Sequence, residues 1–353
     1  MSSTATNSTG RLIVLVMKWL LAMGMLAALW WMSRDSLAKL QNRHFVWQAF
    51  AIAFATRFLS LLVSFSRWRL LVQGIGLPIS FRETFRLGML SEAMNLMGPG
   101  AVGGDLIKAA LLAKNHPNRR ASASATVFLD RVLGMWGLFV LGAGASMIPV
   151  STKIGSELDW AVWLLWAGTF AGLVGIGMML VPAFTHSWFM HWLSTWKLIG
   201  RIVKELMESV QMYQGQPQVV ILAVFLSMIG HFGALTSFYF CAQAVHRGQT
   251  IPTYVDHLVG LPLPVTLGAV VPTPGGVGAL EGAVAWFYEQ HQLNLIPNSA
   301  KDELATAFSN GILTALVYRL TVMVGGAIGV IYYFTSRAEI RQVVHDAEIE
   351  SVV

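Results

Sequence analysis

Arg57, Asp105, Lys108, Asp130, Arg131, Glu281 and Arg319 fall inside or against long apolar stretches, where lipid or protein is the expected surrounding. An ionised group at the centre of a bilayer costs several kcal/mol unless it is paired or hydrated, so such residues mark function by default. Asp130 and Arg131 are consecutive, about 100° apart around a helix, so each needs its own partner. Asp105 and Lys108 are three apart and can share a face. Arg57, Arg131 and Arg319 exceed what Asp130 alone can neutralise, and spare arginines carry the chemistry of phosphate binding. Internal salt bridges holding a helix bundle together would use the same residue types. His231, midway along an apolar run, reads as a proton relay or, the commoner case, as a histidine bonded to a neighbouring helix.

Two glycine-proline breaks stand beside these charges. One reads Pro99-Gly100-Ala101-Val102-Gly103-Gly104-Asp105, the other Pro274-Gly275-Gly276-Val277-Gly278-Ala279-Leu280-Glu281. Both follow the pattern PGxVG with an acid two or three residues later. Lipid cannot solvate free N–H groups, so non-helical backbone at depth is either buried in protein or lines a wet cavity. Glycine at 100, 103, 104, 275, 276 and 278 lets a ligand approach the backbone. The helix N-terminus beyond each break would offer amides and partial positive charge to an anion such as phosphate. Kinks in otherwise ordinary packed spans are the plainer alternative.

The elements that must position these groups are apolar helices. Hydrophobic residues make up 55% of the 353-residue chain and charged residues 12%, against roughly 25% charged in a soluble domain. Crossing about 30 Å of hydrocarbon takes about 20 apolar residues. Six stretches qualify: 12–32, 45–65, 121–148, 160–181, 219–244 and 305–334. Segments 84–113 and 254–290 are each broken by one glycine-proline motif, leaving pieces suited to a hairpin that enters and leaves on one side. The expected fold is an all-α integral membrane protein, with six spanning helices plus two re-entrant helical hairpins in an inverted-topology repeat. It is a single transmembrane domain over 1–353, with repeats at approximately 11–150 and 158–336 and a short cytoplasmic tail at 337–353.

The net charge of +6 sits in short loops between apolar blocks, which is a topology signal and not a nucleic-acid surface. Arg67, Arg69, Arg82 and Arg86 precede the first broken segment, read as a loop, and Lys114, Arg119 and Arg120 follow it. Lys197, Arg201, Lys204, Arg337 and Arg341 lie in later loops, whereas 151–159 and 290–303 are neutral or acidic. The bias puts both termini in the cytoplasm; Arg34, Lys39 and Arg43 run against it. Trp188, Trp192 and Trp196, spaced by four, predict an interfacial helix within 187–216. Trp30, Trp31, Trp160, Trp163 and Trp166 read as interfacial belt residues. No GxxxxGK[ST], HExxH or Cys/His cluster is written in the chain, so no cofactor, nucleotide or metal is expected. The single Cys241 leaves the redox compartment unread.

These residues also carry a resemblance. From about residue 45 to 334 the chain resembles the lysylphosphatidylglycerol synthase transmembrane family, or flippase-like domain family. The likeness rests on Gly103-Gly104-Asp105-Leu106-Ile107-Lys108, on Leu129-Asp130-Arg131, on Pro272-Thr273-Pro274-Gly275-Gly276-Val277-Gly278 with Glu281, and on Tyr318-Arg319. The family often has Glu then Arg where this chain has Asp105 and Lys108, and lysine cannot reproduce bidentate phosphate contacts. The resemblance implies a lipid transporter or flippase of the cell inner membrane, not an enzyme. It implies a stand-alone member, since only a short tail follows 334. The implied ligand is a membrane lipid with an anionic phosphate head group, its identity not carried over. Arg57, Arg131, Arg319 and the two hairpin tips would hold it, with Asp105, Asp130 and Glu281 balancing charge, binding a cationic head group or carrying a coupling proton. A non-translocating subunit that presents lipid to a separate glycosyl- or aminoacyl-transferase is the alternative; an oligomer stays open. On this reading Arg319→Ala abolishes lipid movement and leaves expression intact.

Overall fold

The computed structural model describes residues 45–97, 103–149, 159–181, 187–196, 200, 211–246, 251–271 and 277–350, with side chains no further than 336. Among these, the regular structure is all helical: α1 (Trp47–Gly74), α2 (Phe81–Met97), α3 (Gly103–Asn115), α4 (Arg120–Ala145), α5 (Asp159–Leu180), α6 (Trp188–Ser194), α7 (Pro217–Val245), α8 (Tyr254–Gly260), α9 (Pro262–Val270), α10 (Ala279–Leu295) and α11 (Lys301–Glu350). Helices α1, α4, α5, α7 and α11 are long and apolar enough to cross a membrane. They coincide with five of the six expected spans; the sixth, 12–32, lies outside the described residues. Their outer faces carry large apolar side chains, including Trp163, Phe170, Ile221, Phe225, Met323 and Phe334, the surface a bilayer requires.

One boundary differs from expectation. The second span does not stop near 65: α1 runs to Gly74, so Arg67 and Arg69 belong to the helix and not to a cytoplasmic loop. Trp68, Leu71 and Val72 continue the buried stripe at helical spacing, and a charge inside that stripe does not end the helix when a partner awaits it. Arg82 and Arg86 likewise lie on α2.

Helices α1 and α7 run antiparallel along their whole length. Val46 N–H donates to Ala244 O, Ser237 Oγ to Ala53 O, Ser60 Oγ to Gly230 O, and Tyr213 OH, just before α7, to Leu71 O. Small residues permit this approach: a Cβ at Gly233 would stand 3.2 Å from Thr56 O, the close contact small side chains supply between membrane helices.

Two antiparallel hairpins flank this pair. In the first, α2 meets α3 through Ser91 with Asp105, Asn95 with Gly104 and Glu83 with Asn115. In the second, α8 and α9 meet α10 through Asp256 with His291, His257 with Tyr288 and Gly268 with Leu280. Their connecting segments, 98–102 and 272–276, are outside the described residues, and with them Gly100, Gly275 and Gly276. The first arm of the second hairpin carries an unexpected bend, because Pro262 opens α9 directly after α8 ends and proline at a first helical turn has no N–H to lose. The base of the first hairpin lies by the α1 C-terminus, where Arg69 and Gln73 donate to Ile79 O and Gly74 faces Val219. The base of the second lies toward the other end of α1, where Phe45, Phe50, Ile251 and Tyr254 pack against one apolar cluster.

Two large apolar clusters fill these opposite ends. One contains Trp68, Leu71, Leu111, Leu112, Leu129 and Leu133; the other contains Leu138, Phe238, Cys241, Phe287, Tyr288 and Tyr318. Helix α11 packs along α10 and then along α2, where Gly329 meets Met89 O and Tyr332 meets Phe85. It continues to Glu350, so most of the expected tail is helical. Of the expected interfacial helix, α6 holds stacked Trp188 and Trp192, and Trp192 contacts Trp196; Lys197, Arg201 and Lys204 are outside the described residues, as are Trp30 and Trp31.

Candidate functional site

Where α1, α3 and α4 meet, five charged side chains form one row of alternating sign. Arg67 Nε donates to Asp130 Oδ1 at 2.7 Å. Lys108 Nζ stands 3.7 Å from Asp130 Oδ2 and 3.7 Å from Asp105 Oδ1. Arg131 grips Asp105 Oδ2 through Nε at 2.8 Å and Nη2 at 2.5 Å. The row therefore reads Arg67, Asp130, Lys108, Asp105, Arg131, with an arginine at each end. Asp130 and Arg131 take different partners, as their angular separation on a helix demands, and Asp105 and Lys108 do share a face.

Neighbours hold the row in place. Arg67 Nη1 donates to Ser227 Oγ on α7, and Gly134 on α4 leaves room for the guanidinium, since a Cβ there would sit 3.0 Å from Nη1. Lys108 Nζ lies 4.5 Å above the Trp68 ring, a cation–π contact that offsets part of its desolvation. Ser91 Oγ donates to Asp105 at 3.3 Å. Arg67, Lys108 and Asp130 are buried, whereas the Arg131 side chain is 31% exposed. The row thus opens at its Arg131 end.

The second hairpin has a shorter counterpart. Arg319 Nε on α11 donates to Glu281 Oε1 at 2.5 Å, and Glu281 Oε2 accepts the Gly278 N–H at 2.7 Å. Gly278 has φ +88°, a conformation open to glycine at little cost. Each hairpin therefore carries an acid at the start of its second arm, paired to an arginine on the following span. Arg57 on α1 pairs with Glu92 on α2 at 3.5 Å.

The arginines expected to be spare are thus matched to carboxylates, Arg57 by Glu92, Arg131 by Asp105 and Arg319 by Glu281. The tip amides differ from expectation as well. Gly104 N–H is taken by Asn95 Oδ1 at 2.9 Å, and Gly278 N–H by Glu281. A Cβ at Gly104 would stand 2.0 Å from Ser91 O, so this glycine serves close helix packing. Gly103 opens α3 beside it. Tyr318 stacks on Phe238 with ring centroids 3.6 Å apart and is part of the apolar core. His231 lies half-buried on α7.

Several contributors are not legible in the sequence. Local spacing assigns Arg67 to a loop, and Glu92 lies on an arm too weakly apolar for its charge to stand out. The polar cluster at the second hairpin's base is a further one. There Thr253 and Asp256 form a capping box, Asp256 meets His291 at 3.0 Å, and His257 meets Tyr288 at 2.8 Å. The signal that could have found it is the Thr253-x-x-Asp256 spacing before an apolar run.

The helices and their buried ionic rows define a multi-pass α-helical membrane protein. Residues 11–290 match the family described as the Lysylphosphatidylglycerol synthase TM region, and the chain belongs to that family. The matched range takes in the run at 12–32 and Glu281, and ends before α11. No curated protein and no solved structure matches the chain.

Proposed function

We propose that this protein moves a phosphate-bearing lipid across the cell inner membrane, with both termini cytoplasmic and no catalytic step of its own. In this reading the hairpins are re-entrant and belong to an inverted-topology repeat, so that α1 corresponds to α7, α2 to α8 with α9, α3 to α10 and α4 to α11. The antiparallel α1–α7 pair, hairpin bases at opposite ends, and the matching Asp105–Arg131 and Glu281–Arg319 pairs support it. Paired broken segments of this kind bring binding groups toward the bilayer midplane in transporters.

The observation that carries the reading is the buried row of five alternating charges ending on a part-exposed arginine. A row built only for stability needs no open end, and apolar side chains of similar volume often stabilise as well. At Arg131 a lipid phosphate can bond a guanidinium already oriented by Asp105. Because Asp105 retains Lys108 and Ser91 as partners, Arg131→Gln is expected to stay folded. Loss of one charge-assisted contact, about 1.5–3 kcal/mol, should slow lipid movement about tenfold or more. Reduction of labelled phospholipid in proteoliposomes measures the rate. Wild-type speed in that variant removes Arg131 from the path; purified protein that binds lipid but never moves it points to a presenting role beside a transferase.

A further inference from the structure

Glu92 is held differently from the acids of the other ion pairs. Asp105 accepts from Arg131 and Ser91, Asp130 from Arg67, and Glu281 from Arg319 and the Gly278 N–H, with the arginine nitrogens at 2.5–2.8 Å. Glu92 on α2 stands 3.5 Å from Arg57 on α1, and its side chain is 23% exposed. Arg57 Nε is buried and donates to no group among the described residues. The pair is loose where the others are tight.

Its place in the bundle is central. Thr56, beside Arg57, approaches Gly233 near the middle of α7, so the pair lies well inside the spanning helices. Helix α2 offers a different side to each neighbour. Ser91 and Asn95 meet α3, Met89 and Ala93 meet Gly329 of α11, and Gly88 meets Phe65 of α1. Glu92 is one turn past Gly88 and shares its side. Three titratable groups on other elements surround the pair. His231 on α7 lies in the field of Arg57, and Tyr318 on α11 in the fields of Arg57, Glu92 and Arg319. Asp105 on α3 is joined to α2 through Ser91.

We infer that Glu92 is the proton-carrying residue of the lipid path, giving up Arg57 and taking a proton when a lipid phosphate arrives. This rests on the proposed lipid movement and adds what couples it to protons. Arginine stays charged at any working pH, so only the acid changes state. A phosphate oxygen bonds the Arg57 guanidinium, Nε included, and displaces Glu92. The freed carboxylate binds one proton from water and becomes neutral. When the lipid leaves, the proton leaves too and the Arg57–Glu92 pair re-forms. One anion replaces another beside Arg57 at each step, so the exchange adds no uncompensated charge in low dielectric. Displacing Glu281 would also uncap α10, and displacing Asp105 or Asp130 would break more than one contact. Glu92 gives up one.

Calorimetric titration of the purified protein with short-chain phosphatidylglycerol, in two buffers of different ionisation enthalpy, counts the protons bound per lipid. Near neutral pH the wild type should take up about one, so its affinity falls about tenfold for each unit rise in pH. Glu92→Gln keeps the shape without the charge, and should bind at least as tightly with no proton uptake and no pH dependence. His231→Gln should keep the wild-type count. A wild type that binds no lipid or takes up no proton overturns the inference, whether or not Glu92→Gln folds. So does an unchanged count in folded Glu92→Gln, or a count lost in His231→Gln instead. Proton-linked binding with no lipid movement in proteoliposomes would sink the transporter reading and leave this one standing; lipid movement without proton uptake would do the reverse.

Discussion

Glu281→Ala is expected to destabilise the folded protein by roughly 3–5 kcal/mol through the loss of a buried ion pair alone. Glu281 is 0% exposed and its two oxygens act separately, one accepting from Arg319 and the other from Gly278 N–H at the start of α10. Truncation leaves the Arg319 guanidinium buried beside a void and uncaps the helix, which adds about 1 kcal/mol. Glu281→Gln keeps an acceptor for Gly278 and should cost less. The double variant Glu281→Ala with Arg319→Met removes both charges and should recover part of the loss, giving a coupling energy in a double-mutant cycle. Thermal unfolding of the purified variants in detergent measures it. Arg319→Ala, in turn, strands a buried carboxylate, so lower stability and yield accompany any loss of movement, contrary to the expectation of intact expression. Additive single and double losses would show that the pair is not coupled.

Gly104→Ala should be as damaging to function for a different reason. Its Cβ would stand 2.0 Å from Ser91 O and 2.7 Å from Asn95 Oδ1, and the nearer atom is backbone that cannot swing away. Relief requires α2 and α3 to part, which strains the Asn95 contact and shifts Asp105 away from Arg131. Overpacking of this kind costs about 1–3 kcal/mol and sometimes more. Gly144→Ala is the control, since nothing lies within 4 Å of a Cβ there and alanine is the better helix former by about 1 kcal/mol. The first variant should melt lower and lose lipid movement, and the second should match or exceed wild type in both. Equal behaviour of the two would mean that the hairpin arms are not packed this closely.

Much of this architecture is written in the chain because the bilayer is a demanding solvent. Runs such as 121–148 and 219–244 admit no reading but a spanning helix, and PGxVG followed by an acid marks both hairpins. The partners of the charges are harder to read. Arg67 resembles a loop residue wherever charge is taken to end a span, yet Asp130 meets it across 63 residues of sequence. Glu92 and Asn95 sit on an amphipathic arm where polar residues are ordinary, and only the fold shows that one pairs with Arg57 and the other with the Gly104 amide. Tyr318 stands out in the sequence through its neighbour Arg319, whereas its ring belongs to the core. Long-range pairing between side chains leaves no mark in local spacing; backbone breaks and apolar length do.

The proposed transport depends on the two hairpins opening toward opposite faces of the membrane, and cysteine accessibility tests that most directly. Cys241 is buried and can be replaced to give a silent background. Asn115→Cys, exposed at the base of the first hairpin, and Asn298→Cys, exposed just beyond the second, then report each base to a membrane-impermeant thiol reagent. Labelling of Asn115→Cys only from the cytoplasmic side and of Asn298→Cys only from the outer side is the expected result. Labelling of both from one side would contradict it.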